Sequence, residues 1–158
     1  MINIIDWGYI LKWGVIGICV FSILIIIAAI TRIQRFVRDE EGRLRKDMPI
    51  AGRLFMFIWA LMMLGFFIIS SYFDLSYSEQ FRFGYFFLNN FLIYLVILFY
   101  DTFIIDILVI VVLHPDFLNF PKTEGYTSIP FHLKTLIPGT LYGLALSLIS
   151  SVICWYFL

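Results

Sequence analysis

The sequence predicts an all-α fold, a polytopic membrane protein built as a four-transmembrane-helix bundle with both termini outside. Three observations predict it. Hydrophobic residues make up 62% of the 158-residue chain and charged residues only 14%, against roughly 45–50% and about 25% in soluble domains. A chain this small has too much surface per unit volume to hide that excess from water. Apolar residues also gather into four long runs, and Lys and Arg gather on alternate connections between them.

Crossing about 30 Å of hydrocarbon takes about 20 apolar residues in a helix. The windows lie at about 13–30, 54–73, 85–113 and 136–158, joined by cytoplasmic loops 31–53 and 114–135, and the whole chain reads as a single transmembrane domain. The runs are continuously apolar, whereas barrel strands alternate and are about 10 residues long. The first window has no basic segment before it and no small-x-small site after it, so it is expected to stay as a helix rather than be cleaved.

Arg32, Arg35, Arg38, Arg43, Arg45, Lys46 and Arg53 crowd the first loop, and Lys122 and Lys134 lie in the other. The opposite side has Lys12 and Arg82. The excess of positive charge puts the two loops in the cytoplasm. Aromatic clusters at Trp7, Tyr9 and Trp13, at Tyr72, Phe73 and Tyr77, and at Trp155 and Tyr156 then form an outer interfacial belt. Localisation in a cell membrane as a multi-pass protein follows.

Local signals refine the boundaries. Asp47 before Met48-Pro49 suits an N-cap with proline in the first turn. Thr135 and Pro138 suit the start of the fourth helix in the same way. Gly42 suits the end of a cytoplasmic extension of the first helix, in which Arg32, Arg35 and Arg38 recur at helical spacing and meet anionic lipid heads or a partner.

Formal net charge is zero and no basic stripe carries interleaved aromatics, so nucleic acid is excluded as a partner. Cys19 and Cys154 lie in apolar runs outside any CxxC and read as buried small hydrophobes. Thr135, Gly139, Gly143, Ser147 and Ser151 recur every fourth residue and form one small-residue stripe. Association of helices in lipid depends on close packing, which such a stripe permits. Its neighbour is either another helix of the same chain or a second copy. Gly14 and Gly17 form a weaker version on the first helix.

Asp101 and Asp106 are the most informative residues. A carboxylate at the centre of a membrane helix costs about 2.5–3.5 kcal/mol on insertion scales and marks pairing or an ion path. As one α-helix at about 1.5 Å per residue, Phe83 to Leu113 would be about 46 Å long, longer than the hydrocarbon core. Five residues on an α-helix turn through about 140°. The two carboxylates are therefore expected on different faces, Asp101 with Asn90, Tyr94 and Ile97, and Asp106 with Thr102 and Ile110, near His114. They serve either as a proton or cation relay or as structural bonds to Thr140, Tyr142 or Ser147.

The segment from His114 to Lys134 is long for a helix connection, and Pro115, Pro121 and Pro130 predict an extended, stiff loop. It carries His114, Asp116, Glu124, Tyr126 and His132. Tyr126 and the histidines have general acid/base chemistry. The HxxxH and HExxH spacings are missing, so neither a metal nor another cofactor is expected.

Asp101-x4-Asp106, Pro115-x-Phe117, Pro121-x-Thr123-Glu124-Gly125 and Phe131-His132 together resemble a pattern found in small uncharacterised bacterial four-helix membrane proteins. The departures are Lys122 where glycine is commoner and Leu133 where the pattern has a second phenylalanine. The resemblance covers about a quarter of the chain. It groups Asp101, Asp106, Glu124 and His132 as a set.

Two function classes remain. The leading one is non-enzymatic: a small ion- or proton-coupled transport or channel unit, or an accessory subunit of a membrane complex, with the lipid bilayer as partner and a homo-oligomer or larger complex left open. The alternative is a membrane-embedded enzyme acting on a lipid or isoprenoid at the inner leaflet through Asp106, His114, Glu124 and His132.

Overall fold

The computed structural model describes residues 5–39, 42–75, 83–115 and 123–157, with backbone alone at 34, 74, 75, 124 and 125. Four helices are long and apolar enough to cross a membrane. We number them α1 (Trp7–Ile30), α2 (Ile50–Leu75), α3 (Phe83–Tyr100) and α5 (Ile129–Phe157), with a short α4 (Glu124–Thr127) before the last. Among the described residues there is no strand, and an all-α four-helix bundle is the fold. Its polarity is inverted relative to a soluble bundle, with Ile50, Val112, Ile137 and Leu141 among many large apolar side chains facing outward.

Each helix begins earlier than its apolar window. Asp6 caps α1, its carboxylate accepting from the Tyr9 backbone N–H at 3.0 Å. Lys12 fits inside that helix because its ammonium lies over the Trp13 ring. α2 begins at Ile50, where the Pro49 carbonyl accepts from Arg53. Asp47 is therefore not the cap. It pairs loosely with Arg45 at 3.5 Å in solvent, and a backbone hydrogen bond together with that arginine holds its carboxyl below the usual range.

α5 shows the largest difference. It starts at Ile129, so His132 and Thr135 lie on a helix and not in a loop. Pro130 falls in the first turn, where its missing N–H costs nothing. Pro138 is inside the helix rather than at its start.

α1 stops at Ile30, with the Thr31 hydroxyl donating to the Ile27 carbonyl at 2.7 Å. Arg32 at φ 57° turns the chain, so the predicted helical extension does not form. A single 3-10 turn, Ile33–Phe36, follows. Residues 37–39 and 42–45 then run alongside each other as a small hairpin, with Asp39 N–H to the Arg43 carbonyl at 2.9 Å and Arg45 N–H to the Val37 carbonyl at 3.0 Å. Gly42 belongs to this turn, at φ 78°, a conformation that costs glycine nothing.

Beyond Tyr100, α3 widens into a π-helix, Asp101–Leu113, ending where the His114 N–H reaches the Val109 carbonyl. Pairing i with i+5 stores more residues per unit length than an α-helix, which shortens the 31-residue span.

α3 is the centre of the bundle and packs closely on α1 and α5 because glycines let it. A Cβ on Gly143 would overlap the Tyr94 ring, and one on Gly17 would overlap Ile97. Gly139 meets Leu98. The small-residue stripe of α5 is thus turned toward α3 of the same chain. α1 and α2 stand further apart, propped by large rings such as Phe21 against Trp59 and Phe66. Cys154 is buried, whereas Cys19 is exposed on the outward surface, contrary to expectation.

Candidate functional site

The π-helix decides the geometry at Asp101 and Asp106. Under i-to-i+5 pairing, residues five apart lie roughly one above the other. Both aspartates consequently line the same cavity, of about 340 Å³, which corrects the expectation of two faces. Uniformly apolar flanks give no periodic signal from which this wider pitch could have been read.

The cavity lies at the arginine-rich end of the bundle. α1 contributes Ile25 and Ala28, α2 contributes Phe55, Met56 and Trp59, and α5 contributes His132 and Tyr142. Its cap is the hairpin, through Val37, Arg38 and Leu44, together with Tyr126 of α4. Tyr126 of α4 and Phe131 of α5 both approach the hairpin at Gly42.

His132 is 3% exposed, and its Nδ1 lies 3.1 Å from Asp106 Oδ2. The carboxylate is off the line of the ring N–H, so the contact is an electrostatic pair rather than an aligned hydrogen bond. The other ring nitrogen, Nε2, is 3.5 Å from the Tyr126 carbonyl, which can only accept. Asp101 lies deeper, within electrostatic reach of Asp106 and, with opposite sign, of Arg38 and His132. Arg38 itself donates to the Gly42 carbonyl at 3.1 Å, which fixes the guanidinium near the mouth. Burial pushes the Tyr126 phenol above its ordinary range, with Arg38 opposing the rise.

No family model matches the chain, and neither does any curated protein or solved structure.

Of the residues singled out in the sequence, Asp101, Asp106, Tyr126 and His132 come together. His114 does not join them. It closes the π-helix at φ 39°, with Nδ1 2.9 Å from the Ile110 carbonyl. Glu124 begins α4, but its side chain, like all of Asp116, lies outside the described residues. The structural partners proposed for the aspartates are elsewhere or only adjacent. Thr140 donates to Leu136, Ser147 does not line the cavity, and Tyr142 shares its lining. Among the described residues, no three His, Cys, Asp or Glu side chains converge as metal ligands.

Sequence reasoning missed two things. Arg38 reads as a lipid-facing arginine but caps the cavity, because the helix it was assigned to does not form. At the opposite end a buried network joins all four long helices. The Tyr9 hydroxyl meets Ser70 at 3.0 Å and Asn90 Oδ1 at 3.1 Å, and the Asn90 amide reaches Ser71 and Ser150. Its signal in the sequence is the set of adjacent polar pairs Ser70-Ser71, Asn89-Asn90 and Ser150-Ser151 within apolar spans.

Proposed function

We propose that this chain is a small proton-coupled transport unit of a cell membrane, with the cavity as its exchange site on the cytoplasmic side. The observation that carries this reading is the 3.1 Å contact between buried His132 and Asp106 inside a cavity that Asp101 also lines. A carboxylate–imidazole pair holds a proton and can release it to a competing cation, and intramembrane ionisable residues facing a cavity are the usual elements of such paths. The cytoplasmic placement rests on the arginines of the hairpin loop. On this reading the Asp101-x4-Asp106 and Phe131-His132 motifs are the sequence mark of the site.

The test is proton movement in proteoliposomes under an imposed pH gradient. Asp101→Asn and Asp106→Asn should each abolish it while the purified proteins keep their helical content. Undiminished flux in both variants overturns the reading.

One observation favours the enzyme alternative. An apolar groove between α1 and α2, lined by Leu24, Ile27, Ile58 and Met62, adjoins the cavity and shares Ala28, Phe55 and Trp59 with it. An acyl or isoprenoid chain lying there would bring its head to Asp106 and His132. A lipid converted by the wild type and recovered unchanged with Asp106→Asn would establish that reading.

A further inference from the structure

The cavity does not end at Asp101. A second lobe of about 140 Å³ continues deeper into the bundle, and the two share Ile25, Trp59, Asp101 and Tyr142 in their walls. Among the described residues Asp101 is the single charged one lining this deeper lobe, and five of the others are aromatic: Phe21, Trp59, Tyr94, Tyr100 and Tyr142. The rings are held from behind. Tyr94 donates its hydroxyl to the Gly139 carbonyl at 2.9 Å and meets Tyr142 edge to face, and Phe21 packs against Trp59 with centroids 5.7 Å apart.

We infer that this lobe is a binding site for a lipophilic organic cation, held between the Asp101 carboxylate and the rings of Trp59, Tyr94 and Tyr142. Each competing ligand class fails on the chemistry of the walls. A hard metal cation takes six to eight oxygen ligands, whereas this lobe presents mostly carbon. An anion would face Asp101, with Arg38 away at the mouth of the outer lobe. A neutral hydrophobe would leave the carboxylate dehydrated with nothing in return. A soft, weakly hydrated ammonium with apolar substituents satisfies the carboxylate and the ring faces together, which is how aromatic cages recognise such groups. The outer lobe leads to it past Arg38 and Asp106, and the α1–α2 groove offers an apolar approach from the side.

This site names the substrate class of the transport reading and rests on it for what the bound cation is for, while binding itself is measured separately. The probe is radiolabelled benzyltrimethylammonium, whose charge does not depend on pH. Its competitor is neopentylbenzene, the same shape with carbon in place of nitrogen. The purified full-length protein in mild detergent should bind the cation saturably, and the neutral isostere should compete about a hundredfold more weakly. Asp101→Asn should weaken binding about a hundredfold and Trp59→Leu about tenfold. Absence of saturable binding, equal competition by the isostere, or full affinity in Asp101→Asn overturns the inference. The isostere comparison uses wild-type protein, so it stands even if a variant fails to fold. Binding without cation-driven proton movement in proteoliposomes would overturn the transport reading and leave the site. Proton movement without binding would do the reverse.

Discussion

Gly139 and Gly143 occupy equivalent places in the stripe, four residues apart on one helix, yet their neighbours differ. The end of the Leu98 side chain faces Gly139 and can rotate away, whereas the rigid ring of Tyr94 fills the space above Gly143. Gly143→Ala should therefore cost about 1–3 kcal/mol, as overpacking does, and Gly139→Ala much less. Thermal melts in detergent compare the two, and equal losses would mean that α5 is turned differently. The buried polar groups divide in the same way. Asn90 joins Tyr9, Ser71 and Ser150, so Asn90→Ala should lower stability by about 1–2 kcal/mol, since membrane hydrogen bonds average about 0.6 kcal/mol each. The buried Ser147 hydroxyl has no hydrogen-bond partner among the described residues, so Ser147→Ala should leave the melting temperature unchanged or raise it. Residue type and spacing made the stripe and the aspartates visible in the sequence. They could not rank positions within the stripe, because that depends on which side chain stands opposite.

At the scale of the element, the four apolar windows could be read directly, because lipid demands long helices and leaves few alternatives. Their ends were less visible. α5 begins at Ile129 rather than near 136, because Pro130 initiates the helix where a loop was expected. The pitch of α3 was not visible at all. Apolar residues surround the helix on every side, so no periodicity distinguishes i+4 from i+5 pairing. The π segment predicts faster amide hydrogen exchange for 101–113 than for 86–100, since this wide pairing is rare and seldom sustained. Equal protection would mean an ordinary α-helix there and two aspartates on different faces, which would separate Asp101 from Asp106 and His132.

Across the whole molecule, the side that each end faces follows from arginine placement, and one labelling experiment tests it. On a background of Cys19→Ala and Cys154→Ala, Lys46→Cys should react with an impermeant thiol reagent in inside-out vesicles and resist it in intact cells. The opposite pattern would invert the bundle. The site was half visible in the sequence. Asp106 and His132 stood out as ionisable groups near apolar runs, but most of the rest of the cavity lining comes from α1, α2, the hairpin and α4, whose convergence no local pattern records. The two ends of the bundle also differ mechanically. At the end bearing Asn90, side chains from all four long helices are bonded together in a medium that offers no replacement partners. At the other end, among the described residues, the hairpin and α4 cap the cavity. The Tyr9–Asn90 knot thus ties the bundle more firmly than the hairpin end is tied. Opening the Asn90 end would break these bonds with no substitute at hand, so a two-sided transport cycle would have its tallest barrier there.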